Sequence, residues 1–301
     1  MQYLFARHGA LFLRRMGVLL FTLLLAIALL MSQPAKAAGL IRDAEIEHTL
    51  RAYSDPIFEA AGLTPSAINI YIVNDNAINA FVMGGSNVFI NTGLILKTES
   101  PEMLIGVLAH ETGHIAGGHL IKTMDALERA RMQALISSLV GAAAMAGGAG
   151  DVGAAIMSAG QHSATRNMLS HSRSNERAAD QAALRILDQL KISASGMLET
   201  FELLRRQETR KLGNPDPYAV THPLSTERIS HMRAHIGQSN IPEGQAPAEF
   251  DEMHQRMLGK LEGFLLPPDQ VLGQYPSSNQ TIRAHYARAV AYHRQAQVDR
   301  A

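Results

Sequence analysis

The segment His110-Glu111-Thr112-Gly113-His114 places two histidines four residues apart within an otherwise apolar stretch. In a helix, at about 100° per residue, these side chains project about 40° apart and could both bind one zinc ion. Glu111 projects to one side, where its carboxylate could take a proton from a water that the metal activates. Burying two histidines and a glutamate without partners would cost several kcal/mol, so a metal site is favoured over a chance match.

A further histidine follows closely, but its position does not fit this site. The longer pattern H-E-x-x-H-x-x-G-x-x-H requires a histidine at position 120, where this chain has Leu120. His119 comes one residue early. If the helix continues, His119 lies nine residues beyond His110 and about 180° around the axis. His119 is therefore predicted not to be a ligand.

The third ligand is expected from residues 172–180. Glu176, on a second helix, would complete a set of two histidines and one glutamate around zinc. Asp180 lies one turn further on the same face, where it could accept the far N–H of a zinc-bound histidine and hold its ring. The alternative is an ordinary solvated helix start, since arginines surround these acids. With two histidines still lacking a ligand, Glu176 is the best candidate.

Four regions together resemble one peptidase family. They are HETGH at 110–114, SRSNERAAD at 172–180, THPLSTERI at 221–229 and the stretch 79–94. In their order along the chain, with 79–94 first, they resemble the zinc metallopeptidase family of the CAAX prenyl protease and HtpX, over about residues 42–240. The exported layout described below is similar to the periplasmic BepA-like branch of that family.

The resemblance implies a gluzincin fold with one zinc ion per chain. It implies three zinc ligands (His110, His114 and Glu176), a general base (Glu111) and two further catalytic residues (His222 and Arg228). The last two would approach the site from a later helix and the loop before it. His222 could stabilise the oxyanion or occupy the metal as an inhibitory fourth ligand. Spacing alone decides neither role, and without the resemblance these residues read as a loop histidine and a surface arginine.

The periodicity around these motifs predicts an α+β, mostly α fold with a small early sheet. Apolar residues at steps of three and four predict the helices, and β-branched and aromatic residues predict the strands. Asn214-Pro215-Asp216-Pro217 is predicted as a loop. The predicted strands are 67–73, 80–83 and 87–90, and the predicted helices are 41–61, 100–123, 124–170, one starting near 174, 194–210, 225–236, 249–264 and 279–297.

The predicted hairpin around Gly84-Gly85 has a role that the resemblance suggests. Gluzincins commonly bind substrate as an added strand on a sheet edge, through main-chain hydrogen bonds. The segment before Gly84 is the candidate edge. The alternative is that it forms an ordinary core hairpin.

Residues 134–160 are almost wholly Ala, Gly, Met, Ile, Leu, Val and Ser, and three interpretations are open. The first is a membrane hairpin, as in HtpX, but Asp151 and the many glycines oppose it and each half is short for a span. The second is a buried helix pair in close contact. The third is an apolar plate that touches the membrane surface or covers the site. We favour the last two together.

The first residues are predicted to be a cleaved signal peptide, which makes the protein an exported one. Arg7, Arg14 and Arg15 precede an apolar run over 17–31, and Ala35-Lys36-Ala37 fits an A-x-A cleavage site. Lys plus Arg and Asp plus Glu are 27 each, and removing residues 1–37 leaves a formal charge of −4. This balance argues against nucleic-acid binding. The absence of cysteine excludes thiolate metal sites and a cysteine nucleophile.

The predicted organisation is a signal peptide at 1–37, a metallopeptidase domain at 38–240 and a helical extension at 241–301. The extension resembles the approach to a tetratricopeptide repeat and its first helix. At least about three such repeats are needed for a stable stack. The chain is therefore expected either to be a short or truncated form or to pack this tail on the peptidase domain.

The function expected is that of an exported, periplasmic zinc endopeptidase, with association with the membrane left open. Its expected partners are unfolded or misassembled envelope proteins, the outer-membrane assembly machinery and, through 134–160, the membrane surface; no nucleic acid is expected. One alternative is a latent-protease chaperone or assembly factor of the envelope. Another is a polytopic membrane protease.

Overall fold

The computed structural model describes residues 39–210, 218, 221–243 and 246–301. The predicted signal peptide and the predicted loop at 214–217 lie outside these residues. Within them the prediction of a mostly helical α+β fold with an early sheet is confirmed.

The sheet has four described strands, Leu40–Ile41 (β1), Asn69–Val73 (β2), Ala80–Met83 (β3) and Asn87–Asn91 (β4). Their order across the sheet is β1-β2-β4-β3. The strand β2 pairs in parallel with β4, and the other two pairings are antiparallel. The strand β1 was not predicted, because two residues are too few to show a period. The strand β3 lies at an edge of the sheet, which leaves one side of it free for a further strand.

Ten α-helices are described, and half of them begin with a side-chain cap or a proline in the first turn. The Asp43 side chain caps the first helix by accepting hydrogen bonds from the amides of Glu45 and Ile46. Pro101 occupies the first turn of the third helix. The bounds are Ala44–Ala60 (α1), Thr92–Ile95 (α2), Pro101–Ala116 (α3), His119–Ala146 (α4), Gly150–Leu190 (α5), Ser195–Arg210 (α6), Thr226–Gln238 (α7), Ala248–Leu265 (α8), Pro268–Gln274 (α9) and Ile282–Arg294 (α10).

Three predicted helix boundaries were wrong. The helix predicted over 124–170 is broken at residues 147–149, where Gly147 and Gly148 separate α4 from α5. The helix predicted to reach residue 123 ends at Ala116, because Gly118 adopts φ +60° and turns the chain before α4 begins. The helix predicted to start near Ser174 is instead the second half of α5, which runs unbroken for 41 residues. Neither glycine nor proline occurs between 161 and 190, so nothing interrupts that helix.

Helix α3 runs through the centre of the core and is buried along most of its length. A Cβ at Gly106 would lie 2.6 Å from the Cα of Met197 on α6. A Cβ at Gly113 would lie 2.7 Å from the backbone oxygen of Ala179 on α5. Glycine at these two positions therefore allows α3 to approach α5 and α6 closely.

The C-terminal helices pack on the rest of the described chain, as one of the two predicted alternatives required. The Tyr53 hydroxyl donates a hydrogen bond to the backbone oxygen of Phe250 at 3.1 Å. Lys260 on α8 lies 2.9 Å from Asp43 and 3.0 Å from Glu45. Met257, Leu258 and Leu261 of α8 belong to the same hydrophobic core as α3.

Helices α4 and α5 form a long antiparallel hairpin that contains the apolar segment 134–160. Its two helices meet at glycines, with Gly141 against Gly153 and Gly160 against Ser137. The predicted close approach of two helices is therefore present, but the large apolar side chains are exposed and not buried. None of the described helices is both long and apolar enough to cross a bilayer.

Candidate metal centre

Helix α3 presents His110, Glu111 and His114 at its C-terminal half. His110 and Glu111 are fully buried, and His114 is partly buried. The close packing at Gly113 brings Glu176 on α5 opposite these side chains. The four-residue spacing on α3 and the approach of α5 therefore assemble the residues that the sequence singled out.

Four side chains converge on one point. Nε2 of His110 and Nε2 of His114 are 3.1 Å apart. The Glu176 carboxylate lies 3.4 Å from the former and 3.3 Å from the latter. His222 joins them, with its Nδ1 3.2 Å from Glu176 Oε1.

These donors fit a metal ion. One ligand atom from each of the four residues lies within 4.8 Å of the others. Two or three imidazole nitrogens with one carboxylate oxygen, and no thiolate, is a donor set that zinc accepts in tetrahedral sites. The described residues thus provide a cation site without any rearrangement of the chain.

Two of the three ligand candidates already have a charge state that suits a cation. Burial opposes ionisation of Glu176, but its contacts with His110, His114 and His222 hold its pKa far below the usual range. Burial lowers the pKa of His114 to about 3, which keeps that ring neutral. An ionised carboxylate and a neutral imidazole are the forms that bind a metal. Burial opposes protonation of His110, but Asp180 and Glu176 raise its pKa to about 9, so binding a metal there would release a proton.

Asp180 and Arg228 form a charged pair behind the cluster. The guanidinium of Arg228 binds both oxygens of Asp180, at 2.6 and 2.8 Å, and lies 2.9 Å from Glu176. Asp180 Oδ1 is also 3.0 Å from Nδ1 of His110, the ring nitrogen on the side away from the cluster. Asp180 therefore stands where the sequence predicted a carboxylate that orients a histidine. Arg228 is buried, and its described contacts make it a positioning residue for the two acids.

Glu111 has an unusual environment. Both of its carboxylate oxygens are buried without a hydrogen-bond partner among the described residues. Burial raises its pKa, against the opposing effect of nearby His222 and His110. The Nε2 of His222 lies 3.6 Å from Oε1 of Glu111. An unpaired buried carboxylate beside a cation site is poised to accept a proton.

His222 is held from the other side of the cluster. Its ring stacks on Tyr218, with centroids 4.6 Å apart, and its backbone amide donates a hydrogen bond to the Tyr218 oxygen at 2.6 Å. Pro223 follows directly, which favours an extended backbone at His222. These contacts aim the imidazole at Glu111 and Glu176.

His119 contributes a contact that sequence reasoning missed. Because α3 ends at Ala116, His119 does not lie on the far side of a continuing helix; its Nδ1 is 3.0 Å from Nδ1 of His114. It lies outside the four-residue cluster. Any side chain at Gly117 would clash with the His119 ring. The Gly117-Gly118 pair was the available signal, since glycines commonly end helices.

We expect His119 to hold the ring of His114. When His114 Nε2 faces a metal, its Nδ1 carries the hydrogen and donates it to His119 Nδ1. Replacing His119 with leucine should weaken zinc affinity about 10–100-fold, the usual loss for such a partner. Asparagine, whose Oδ1 replaces Nδ1 as the acceptor, should retain most of the affinity. Zinc dissociation constants from chelator competition test this, and equal affinity of the His119→Leu protein and the unmodified protein would contradict it.

A cleft of about 420 Å³ leads to the cluster. One wall is strand β3, through Phe81, Val82 and Met83, and the opposite wall is the base of the α4–α5 hairpin. Glu111, His114, Glu176 and His222 lie at its floor. The edge strand that the sequence predicted as a substrate-binding edge therefore borders the site.

Comparison with known proteins finds similarity to a peptidase family and to proteases, which agrees with the geometry of the site. The family model of peptidase family M48 matches residues 41–236. A putative beta-barrel assembly-enhancing protease of Vibrio cholerae serotype O1 is 28% identical, over 77% of this chain and 48% of its own length. The beta-barrel assembly-enhancing protease of Escherichia coli strain K12 is 24% identical, over 84% of this chain and 52% of its own.

A shorter relative is metalloprotease YcaL of Escherichia coli, which is 30% identical over 58% of this chain and 63% of its own length. The chain spans about half the length of the two beta-barrel assembly-enhancing proteases that it matches. The family match covers well over half of the chain and includes every residue of the cluster, so the predicted family is confirmed. This chain belongs to peptidase family M48.

Proposed function

We propose that this chain is a zinc metalloendopeptidase that hydrolyses unfolded or misassembled envelope proteins. The observation that carries the proposal is the convergence of His110, His114 and Glu176 beside the unpaired carboxylate of Glu111, in a cleft bordered by an edge strand. Metal ligands, a proton acceptor and a substrate edge are the three parts that peptide hydrolysis of this type needs.

The histidines at 110 and 114 and the glutamate at 176 would hold one zinc ion. When bound, zinc would act as a Lewis acid that polarises the scissile carbonyl and acidifies water. Asp180 and Arg228 support this set, because they hold His110 and Glu176 from behind. A ligand set fixed in advance loses little conformational freedom on binding metal.

Glu111 would act as the general base. Among the described residues its carboxylate has no hydrogen-bond partner to give up before it takes a proton from the attacking water. Burial raises the pKa of Glu111, which makes its carboxylate a stronger base than an exposed glutamate. The same group can then return the proton to the leaving amine.

The substrate would lie in the cleft as an extended strand on β3. The exposed edge of β3 offers main-chain groups to any extended chain, and side chains such as Phe81, Met83 and Ile115 give the cleft apolar walls. An unfolded chain presents an extended backbone and apolar side chains along its whole length, whereas most of a folded protein's backbone and apolar side chains are already paired or buried. This supports unfolded proteins as the substrate class.

The cellular setting is proposed from two supports. The predicted signal peptide at 1–37 indicates export to the periplasm. The relatives named for enhancing beta-barrel assembly support outer-membrane proteins as substrates and the outer-membrane assembly machinery as a partner. In this proposal the peptidase domain is 38–240, and 241–301 is an extension that packs against it.

The test uses a purified outer-membrane β-barrel protein as substrate, once unfolded and once folded. We expect cleavage of the unfolded form only, loss of cleavage after zinc is removed with a chelator, and recovery when one equivalent of zinc is restored. Cleavage that survives complete zinc removal would contradict the proposal.

A second candidate function rests on the position of His222. Because His222 lies in the cluster with the three other ligand candidates, it could close the metal site as a fourth ligand. A closed site is latent, and the chain would then act mainly as an assembly factor or chaperone of the envelope until His222 moved.

The His222→Ala substitution separates these possibilities. We expect it to raise basal proteolysis of unfolded substrate, because removing a gate exposes the position that the attacking water needs. If His222 instead stabilised the oxyanion, the same change would lower kcat by about 10²–10³-fold. Initial rates of the substituted and unmodified proteins, at equal zinc content, decide the matter; activity at or below the unmodified level on every substrate would contradict the gate.

A further inference from the structure

The outer face of helix α4 carries an apolar stripe that no described residue covers. Met132, Leu135, Ile136, Leu139 and Val140 are each 52–63% exposed and recur at steps of three and four, so they share one face. We propose that this stripe docks on an anionic phospholipid membrane and immerses its side chains in one leaflet.

The hairpin is packed in a way that suits lipid and not water. A helix pair in water gains stability by burying its large apolar side chains. Here the buried hairpin positions between 132 and 165 are Gly141, Gly153, Gly160 and Ala164, while the large side chains of α4 point outward. Small residues between the helices and large apolar residues outside are the pattern of helices in contact with lipid.

The length of the apolar section favours shallow docking over a span. Between residues 132 and 165 the only Asp, Glu, Lys or Arg is Asp151, which lies in the first turn of α5 at the far end of the hairpin. From Met132 to the end of α4 at Ala146 the helix extends about 22 Å, which is less than the ~30 Å of a hydrocarbon core. A helix that lies in the interface plane immerses its apolar face by about 5–10 Å and leaves a group such as Asp151 at headgroup level.

Cationic side chains stand where the apolar section begins. Arg129 and Arg131 directly precede the stripe on α4, and Arg166 lies at the same level of α5. The exposed acids Asp125 and Glu128 stand on the same stretch of α4, but residues 122–131 together with Arg166 still carry a formal charge of +2. All three arginines are exposed. This charge is complementary to lipid phosphates, and arginine stems can lie along apolar surface while their heads reach the headgroups.

Membrane docking would also place the cleft next to the bilayer. Leu120 and Ile121, at the start of α4, line the cleft beside strand β3. A substrate lying at the membrane surface would thus meet β3 without leaving that surface. This consequence goes beyond the proposed function and does not depend on it, because docking requires neither zinc nor hydrolysis.

The absence of tryptophan from the chain makes a local test possible. The Leu139→Trp protein has a single tryptophan in the stripe, and the Val298→Trp protein has one at a similarly exposed apolar position outside it. Vesicles of phosphatidylglycerol and phosphatidylethanolamine, with bromine on the acyl chains, quench only a tryptophan that enters the leaflet. We expect quenching and a blue shift for Leu139→Trp and neither for Val298→Trp. Unquenched fluorescence of the Leu139→Trp protein on these vesicles would overturn the proposal.

Two further measurements test the role of charge and the alternative that a second copy of the chain covers the stripe. Each of Arg129→Gln and Arg131→Gln should weaken binding to the anionic vesicles about fivefold, and neutral phosphatidylcholine vesicles should bind weakly throughout. Equal binding to neutral and anionic vesicles would overturn the choice of anionic lipid. Leu139→Glu should abolish vesicle binding at an unchanged melting temperature. If sedimentation without lipid instead shows a dimer that Leu139→Glu dissociates, the stripe is an interface between two copies and the proposal fails.

Discussion

Replacing Glu111 with glutamine should leave zinc bound and abolish peptide hydrolysis. Glu111 projects from α3 beside the four converging ligand candidates and is not one of them, so its carboxylate is not needed to hold the metal. Removing a general base typically costs about 10²–10⁴-fold in rate. Because no other described carboxylate reaches the same position in the cleft, the loss should lie at the upper end of that range.

The same substitution has a second signature that separates chemistry from folding. Burial raises the pKa of Glu111, which means that keeping this carboxylate ionised at neutral pH costs folding free energy. A neutral glutamine of the same shape removes that cost. The metal-free Glu111→Gln protein should therefore melt at the same temperature as the unmodified protein, or higher, at pH 7.

Both signatures are measured on one preparation. Zinc content, the rate of cleavage of an unfolded β-barrel protein and the melting temperature after chelation are compared between Glu111→Gln and the unmodified protein. A matched control is Glu227→Gln, which changes an acid that lies in an exposed part of α7 and should alter none of the three. Residual proteolysis near the unmodified rate would remove Glu111 from the mechanism.

The local part of the site could be predicted from the sequence because it depends on helix geometry alone. The spacing of His110 and His114 and that of Glu176 and Asp180 are each one helical turn, and each pair does lie on one face of its helix. Helix geometry alone does not predict that α3 and α5 face each other. That prediction followed from ligand chemistry, since two histidines needed a third donor.

The later residues could not be predicted in this way. His222 and Arg228 lie more than 40 residues beyond Glu176, and no local period connects them to it. Only the family resemblance indicated them. The structure adds the physical reason for Arg228: it neutralises two buried acids, Asp180 and Glu176, that would otherwise repel each other.

The errors came from places where the chain turns. The apolar pattern predicts a helix that continues through Gly117-Gly118, whereas α3 ends at Ala116. With a continuing helix, His119 would point away from His114, so the contact between these two histidines was not predicted. The composition of 134–160 showed an apolar segment, but a one-dimensional pattern does not reveal which side of a hairpin faces its partner. Glycine at the helix contact leaves the larger residues outside, which only the paired helices make visible.

Glu176 carries the strongest prediction about the metal. Its carboxylate lies 3.2–3.4 Å from three imidazole nitrogens and 2.9 Å from Arg228, and these contacts keep it ionised. Replacing it with alanine removes the only charged donor of the cluster and leaves a gap at its centre. We expect zinc affinity to fall by more than the 10–100-fold that is typical when an outer partner of a ligand is lost.

The Asp180→Asn substitution should lower zinc affinity less than Glu176→Ala does. Asp180 contacts His110 on the ring nitrogen that faces away from the cluster. The Asp180→Asn substitution should therefore lower zinc affinity by about 10–100-fold. Arg228 pairs with both acids, and removing either one leaves the guanidinium with a single carboxylate partner. Both proteins should therefore be destabilised in the metal-free form while they differ in zinc affinity. Full zinc occupancy of Glu176→Ala under chelator competition would mean that the third ligand is another residue, with His222 as the first to examine.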